Sequence, residues 1–195
     1  KFEFDATDLG TGWMPTKTNS GGSIPKGLEL AGFKRLDKDD PRRIKKEDGG
    51  SYGTFEADGV RVALSSDVLI VNRGAVEMFN AEDGALTIQR IVVDPDKRGL
   101  GLATATMRLL AKLADLQGRT LYLEPVQMEK GSGLNKQQLT NFYSKFGFES
   151  VDPSGLVMIR VPPHLKKAGP IRDDLMKQAA PQRTQLGNEI GRAHV

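Results

Sequence analysis

The sequence feature that most constrains the fold is a glycine-containing loop between a strand-like and a helix-like stretch. Leu86–Val93 is rich in β-branched residues, which favour a strand, and Pro95 ends it because proline has no backbone N–H to donate. Beyond the loop, small and apolar residues recur from Ala103 at the spacing of one helical face, and Gly118 ends the pattern. Such a unit points several backbone N–H groups at one spot in front of the helix.

The loop itself, residues 97–104, reads Lys-Arg-Gly-Leu-Gly-Leu-Ala-Thr and suits a phosphate or pyrophosphate, because glycines let the backbone approach a ligand closely. A Walker A loop is excluded, since no lysine follows Gly101. A dinucleotide-binding unit is an alternative, with Glu124 placed where its ribose-binding acid would lie. Against it, Thr104 replaces the third glycine of that motif and the turn after the strand is long.

The following elements are predicted in the order β-α-β-α-β-β. Residues 120–124 form a short strand, and Asn135 with Gln138 resembles a capping box that opens a second helix. Residues 148–151 and 156–161 predict a closing hairpin around a Pro-Ser-Gly turn. The apolar stripe of the second helix consists of Leu139, Phe142, Tyr143 and Phe146.

Antiparallel strands are predicted before this unit. Two alternating runs flank Asp58-Gly59, which is a strong signal for a two-residue hairpin turn. Asp67–Asn72 predicts a further, buried strand. Residues 73–85 are ambiguous, and a short helix at Val76–Asn80 is one option.

The N-terminal part is predicted to be poor in regular structure. Residues 7–26 are rich in Gly, Thr, Ser and Pro and read as a loop. Residues 34–48 carry charges of both signs and read as a solvated loop. A weak helix candidate lies at 27–36.

These elements resemble the GNAT superfamily of acetyl-CoA-dependent N-acetyltransferases from Leu86 to Val161. The resemblance rests on the loop Arg98-x-x-Gly101-x-Ala103, on the strand before Glu124, and on the "FYxxxGF" stretch that ends at Phe148. It implies an α/β (α+β) fold with a GNAT-like mixed central sheet, whose C-terminal half is β-α-β-α-β-β and is preceded by antiparallel strands.

The resemblance also implies a site and a chemistry. Acetyl-CoA would be the cosubstrate, with its pantetheine arm along one strand and its pyrophosphate on the loop amides. The implied binding residues are Ile91, Val92, Val93, Arg98, Gly99, Leu100, Gly101, Leu102, Ala103 and Thr104. As in the N-terminal protein acetyltransferases, Glu124 would act as base, often through water, and Tyr143 would protonate the leaving thiolate. A strand-end carboxylate and a core-packing tyrosine are the structural alternatives for these two residues.

The function that follows is an acyl-CoA N-acyltransferase that moves acetyl directly to a primary amine of a small molecule or a protein. The alternative is a non-catalytic GNAT-like module, binding CoA or serving as a folded part of a longer protein. Three features keep this alternative open: the chain starts within a strand-like run, residues 7–50 lack the two helices that usually cover the acceptor side, and residues 162–188 resemble a linker. A separate departure, Lys136 where the family often has Asn, leaves the acceptor site open.

Composition removes several other chemistries. The chain has no Cys, which excludes disulfides, thiolate metal sites and a Cys nucleophile. We interpret 189–195 as the translation of a sequencing adapter, which leaves His164 as the only histidine and predicts no metal site. The excess of 28 Lys+Arg over 25 Asp+Glu is small, so a nucleic-acid partner is not expected. No run approaches the roughly 20 apolar residues of a membrane span.

We therefore expect a cytoplasmic monomer or homodimer without a membrane partner, whose amine acceptor the sequence leaves open. Its expected parts are an incomplete, loop-rich N-terminal segment at 1–50, the acetyltransferase domain at 51–161, a polar tail or linker at 162–188, and the adapter-derived 189–195.

Overall fold

The computed structural model describes residues 23–46, 52–72, 75–80, 85–126, 134–151 and 153–166. Its helices are α1 (Ile24–Leu30), α2 (Leu102–Gln117), α3 (Lys136–Ser144) and α4 (Pro163–Lys166), and a 3₁₀ turn spans Pro95–Lys97. Its strands are β1 (Lys34–Arg35), β2 (Gly53–Ala57), β3 (Val60–Ser65), β4 (Asp67–Asn72), β5 (Ala75–Asn80), β6 (Leu86–Val93), β7 (Leu121–Leu123), β8 (Glu149–Ser150) and β9 (Met158–Arg160).

Seven of these strands form one mixed sheet in the order β1-β2-β3-β6-β7-β9-β8, and β4 pairs with β5 in a separate hairpin. The neighbours β6 and β7 are parallel, whereas the other neighbouring strands are antiparallel. The predicted fold class and the predicted order β-α-β-α-β-β, here β6-α2-β7-α3-β8-β9, are confirmed.

The β2–β3 hairpin turns at the predicted dipeptide. Asp58 has a φ of 44° and Gly59 a φ of 77°, both in the left-handed region. A two-residue turn with two left-handed residues matches the right-handed twist of the flanking strands, which explains the Asp-Gly preference.

Helix α2 lies across the sheet and supplies much of the core. Its buried face includes Met107, Leu110 and Ala114, as the helical periodicity predicts, and also Leu113. The helix ends at Gly118, whose φ of 63° suits glycine, and the Arg119 N–H donates to the Ala114 carbonyl at 2.9 Å.

The helices and the main core lie on one face of the sheet. Leu121 and Leu123 of β7 belong to the same apolar cluster as α2, whereas Tyr122 between them lies in a smaller cluster on the other face. Ile24 and Leu28 of α1 are fully buried in the larger cluster. The described residues before position 51 therefore share their core with the rest of the fold.

Helix α1 corrects two expectations, since the loop was predicted to continue to residue 26 and the weak helix candidate to start at 27. The helix begins at Ile24 because the Ser23 side chain accepts from the Lys26 N–H at 3.4 Å and Pro25 occupies the first turn. It ends at Leu30, so residues 31–36 of the predicted candidate are not helical.

The charged segment 34–48 was predicted to be a solvated loop. Residues 37–43 are mostly exposed and lie outside helices and strands, as predicted, but the described residues on either side of them are attached to the sheet. Lys34 and Arg35 pair with β2 in the sheet. Leu36 and Ile44 are buried, and the Ile44 N–H donates to the Thr54 hydroxyl at 3.2 Å. Two apolar residues in an otherwise charged stretch are enough to anchor it to the sheet.

The optional helix at Val76–Asn80 is also wrong, because β5 pairs with β4 along its whole length, from Asn72 opposite Ala75 to Asp67 opposite Asn80. A hairpin partner supplies the backbone hydrogen bonds that five residues of isolated helix would lack. The strand predicted at Asp67–Asn72 is confirmed.

The C-terminal elements follow the sequence closely. The Asn135 side chain accepts from the Gln138 N–H at 2.9 Å, and the Gln138 side chain accepts from the Asn135 N–H at 2.9 Å, which confirms the capping box of α3. The predicted closing hairpin is the pair β8–β9.

Arg160 of β9 forms hydrogen bonds with α2 and with the residues that follow α3. Its guanidinium donates to both carboxylate oxygens of Asp115 on α2, at 2.8 and 2.7 Å, and its Nε donates to the Phe146 carbonyl after α3 at 2.8 Å. Arg160 is only 7% exposed, so its guanidinium has lost most of its hydration. The paired hydrogen bonds to Asp115, which we call the Arg160 fork, replace the lost bonds to water.

We predict that Asp115→Ala lowers the free energy of unfolding by about 3 kcal/mol, because it leaves Arg160 buried without its carboxylate. Urea unfolding followed by circular dichroism measures this. The matched control is Glu149→Ala, which removes the exposed ion pair with Lys166 and should cost at most about 1 kcal/mol. Equal losses in the two variants would contradict the role given to Arg160.

Candidate active site

The two parallel strands of the sheet part after a short ladder. Their register pairs run from Leu86 opposite Leu121 to Ile88 opposite Leu123, where β7 ends. Strand β6 continues to Val93, still paired with β3 on its other side. Beyond Ile88, the edge of β6 that faced β7 has no strand partner among the described residues, and we call the space beside this edge the cleft.

A β-bulge marks the point where the strands part. Ala63 pairs with Arg90 and Leu64 with Ile88, so Gln89 is the extra residue of β6. The bulge shifts the alternation of side chains by one residue. As a result Ile91 packs against the main core cluster.

The loop after β6 is shaped by two left-handed glycines. Gly99 has a φ of 81° and Gly101 a φ of 78°. A Cβ built on either glycine meets no atom within 4 Å, so the backbone conformation, not crowding within the protein, requires glycine here. The open space is where a bound group can approach the backbone.

The first turn of α2 faces this space with unpaired donors. The first backbone bond of the helix runs from the Ala105 N–H to the Gly101 carbonyl at 3.0 Å. The N–H groups of 102–104 precede it and have no acceptor within the helix. Gly101 is the N-cap and brings no side chain to cover them. Together with the helix dipole they favour an anion.

Two cationic residues lie at the start of the loop, and they differ in their contacts. Arg98 is exposed, and its Nε donates to the Val93 carbonyl at 3.4 Å. The Lys97 ammonium donates to the Asp58 carboxylate at 2.6 Å. This hydrogen bond lowers the pKa of Asp58 and raises that of Lys97.

Glu124 directly follows the last residue of β7, at the point where the two parallel strands part. It is partly buried, and its carbonyl accepts from the Val126 N–H at 2.9 Å. The structure thus puts its backbone beside the cleft, and its role as a base stays a prediction.

Tyr143 lies on α3 and packs against the main core cluster. Its ring makes edge contacts with Phe142, at 5.3 Å between centroids, and with Phe148, at 6.1 Å. Burial raises the pKa of its phenol, which therefore keeps its proton at neutral pH. Core packing is a fact of the structure, and it is compatible with the predicted proton-donor role.

The predicted ligand-binding residues lie on three consecutive parts of the chain. They occupy the second half of β6, the glycine loop and the first turn of α2, and Leu100 among them is 70% exposed. Tyr143, Ile91 and Leu102 pack against the same core cluster. Sequence reasoning missed the bulge at Gln89 and the partner of Lys97.

Within the described ranges, no group of three or more His, Asp and Glu side chains could hold a metal ion. None of the helices described is long and apolar enough to cross a membrane.

The family model of the acetyltransferase (GNAT) domain matches residues 57–150. This range begins at the end of β2 and includes β6, the glycine loop, α2, β7 and α3. Residues 57–150 therefore match the GNAT acetyltransferase domain, as the sequence pattern predicts. No curated protein matches the chain.

Several solved structures are distantly similar. The anti-CRISPR protein AcrVA5 is 18% identical with a TM-score of 0.38, over 54% of this chain and 94% of that chain. The KacTA–DNA complex is 16% identical with a TM-score of 0.34, over 59% of this chain and 69% of that chain. AtaTR bound with acetyl-CoA is 13% identical with a TM-score of 0.32, over 65% of this chain and 68% of that chain.

We predict that Gly101→Glu weakens acetyl-CoA binding at least about 100-fold, because a carboxylate would occupy the space in front of the α2 amides and repel a phosphate. Isothermal titration calorimetry measures the affinity.

Gly32→Glu is the matched control, since Gly32 also has a left-handed φ, of 89°, and open space around a built Cβ. It carries the same backbone strain and the same charge at a different place, so we expect unchanged affinity. Equal weakening in both variants would contradict the placement of the anion site.

Proposed function

We propose that this protein is an N-acetyltransferase that transfers acetyl from acetyl-CoA directly to a primary amine of a small molecule or a protein. The observation that carries the proposal is the cleft beside the second half of β6, which leads to the uncapped first turn of α2. A ligand with an extended, amide-bearing arm and a pyrophosphate fits both features: the arm would lie along the cleft beside β6, and the pyrophosphate would lie at the first turn of α2.

The proposal gives the backbone the main binding role. The amide groups of the pantetheine arm would bond to the edge of β6 at Ile91–Val93, as an added strand does at an open sheet edge. The pyrophosphate would accept from the amides of Gly99–Thr104, with the Arg98 guanidinium adding charge. Both roles need only backbone groups and one cation.

The chemistry would use one carboxylate and one phenol. The Glu124 carboxylate takes a proton from the acceptor ammonium, directly or through water, and the free amine attacks the thioester carbonyl carbon. A carbon–nitrogen bond forms, the carbon–sulfur bond breaks, and the CoA thiolate takes the Tyr143 proton. The new amide nitrogen releases its remaining excess proton to water, and water returns a proton to the Tyr143 phenolate. Glu124 then releases the proton that it took from the ammonium to solvent, so that both side chains regain their starting states. The raised pKa of Tyr143 suits this role, because its phenol is protonated at neutral pH.

The experiment that tests this function compares binding and turnover in Tyr143→Phe. We expect the variant to keep its affinity for acetyl-CoA and to lose about 100-fold or more in kcat on a panel of primary amines, since only the proton donor is removed. Tyr52→Phe removes a phenol from a different part of the fold and should change neither quantity.

The outcomes separate the alternatives. Tight binding of acetyl-CoA by the wild type without turnover on any amine would favour a non-catalytic CoA-binding module. Absence of binding would contradict the whole proposal. A parallel loss of affinity and turnover in Tyr143→Phe would make this tyrosine a packing residue only.

A further inference from the structure

The turn of the β2–β3 hairpin lies against the base of the glycine loop. The Asp94 N–H donates to the Gly59 carbonyl at 2.9 Å, and the Lys97 ammonium donates to the Asp58 carboxylate at 2.6 Å. Arg61 of β3 forms a third link, with its guanidinium 3.2 Å from an Asp94 carboxylate oxygen. The hairpin thus holds both ends of the 3₁₀ turn that precedes the loop.

The lysine stem lies directly across this turn. A Cβ added to Gly59 would lie 2.7 Å from Lys97 Cδ and 3.0 Å from an Asp94 carboxylate oxygen. Gly59 is favoured by its left-handed φ, and its lack of a side chain leaves room for the Lys97 stem.

Among the described residues, none makes a comparable contact with the loop beyond Lys97. The space around Gly99 and Gly101 is open, and the Leu100 side chain is largely exposed. The position of the loop amides therefore depends on the two ends that are held, namely the start of α2 and the 3₁₀ turn at Pro95–Lys97.

We propose that Asp58 and Lys97 are positioning residues, which hold the glycine loop in the shape that binds the CoA pyrophosphate, and that Lys97 is not itself a phosphate ligand. The inference rests on the proposed function, in which this loop binds acetyl-CoA. The phosphate charge is then met by Arg98 and by backbone amides, while the Lys97 ammonium stays on Asp58.

The direction in which one substitution changes CoA affinity tests this proposal directly. Asp58→Asn keeps a residue that accepts the left-handed turn but removes the carboxylate. If Lys97 positions the loop, we expect CoA affinity to fall about three- to fivefold, the effect of losing one partly exposed ion pair. If Lys97 binds phosphate, the same substitution frees the ammonium and affinity rises, which would overturn the proposal.

A double-mutant cycle adds a second test. Lys97→Met should weaken CoA binding by the same factor as Asp58→Asn, and the double variant should be no weaker than either single one, because both remove the same contact. The conservative variant Lys97→Arg can still pair with Asp58, so we expect it to bind CoA with the wild-type affinity, unlike Lys97→Met. Additive losses would overturn the proposal.

The matched control is Asp96→Asn, which removes a carboxylate one residue from Lys97 while the Lys97–Asp58 bond remains. We expect its CoA affinity to be equal to or above that of the wild type, since only repulsion of the phosphate is reduced. A loss equal to that of Asp58→Asn would overturn the proposal.

A readout without ligand separates this inference from the proposed function. Amide hydrogen exchange of Asp94, Lys97 and Ala105, whose N–H groups are hydrogen-bonded at the two ends of the loop, should be faster in Asp58→Asn and in Lys97→Met than in the wild type, and unchanged in Asp96→Asn. Unchanged exchange in all variants would overturn the positioning role. Failure of the wild type to bind CoA would instead refute the proposed function, whatever the exchange shows.

Discussion

The parting of β6 from β7 at the Gln89 bulge is the constraint on which the rest of the site depends. On one side the β3 ladder holds β6 over its length, while on the other its ladder with β7 ends at Ile88. A continuous ladder on both sides would fill the edge with protein hydrogen bonds and leave no room for an extended ligand. The cleft exists because β7 is short and because the bulge turns the second half of β6 relative to it.

The remaining parts of the site are placed by their connection to this strand. The 3₁₀ turn and glycine loop follow β6 directly, so the uncapped turn of α2 lies at the end of the cleft. The Arg160 fork joins α2 to the carbonyl after α3, which carries Tyr143. A phenol on a core-packed helix is held more firmly than one on a loop, and burial keeps it protonated.

Local patterns made much of the fold and the binding loop predictable, and long-range contacts explain the failures. The Asp58-Gly59 turn, the periodicity of α2 and the capping box of α3 each depend on residues close in sequence. By contrast, β1 and β5 are strands because of the partners they meet, and α1 depends on packing against α2. The bulge at Gln89 and the pairing of Lys97 with Asp58 also join distant parts of the chain, so no sequence window contains their cause.

The most direct test of the account is a titration of the ¹⁵N-labelled protein with acetyl-CoA, followed by amide chemical shifts. If acetyl-CoA binds in the cleft and on the glycine loop, saturable chemical-shift changes concentrate on the amides of Ile91–Val93 and Gly99–Thr104. The amides of β2 (Gly53–Ala57), which lies outside the cleft, change little. Shifts confined to other parts of the sheet, or no saturable shift at the glycine loop, would contradict this account.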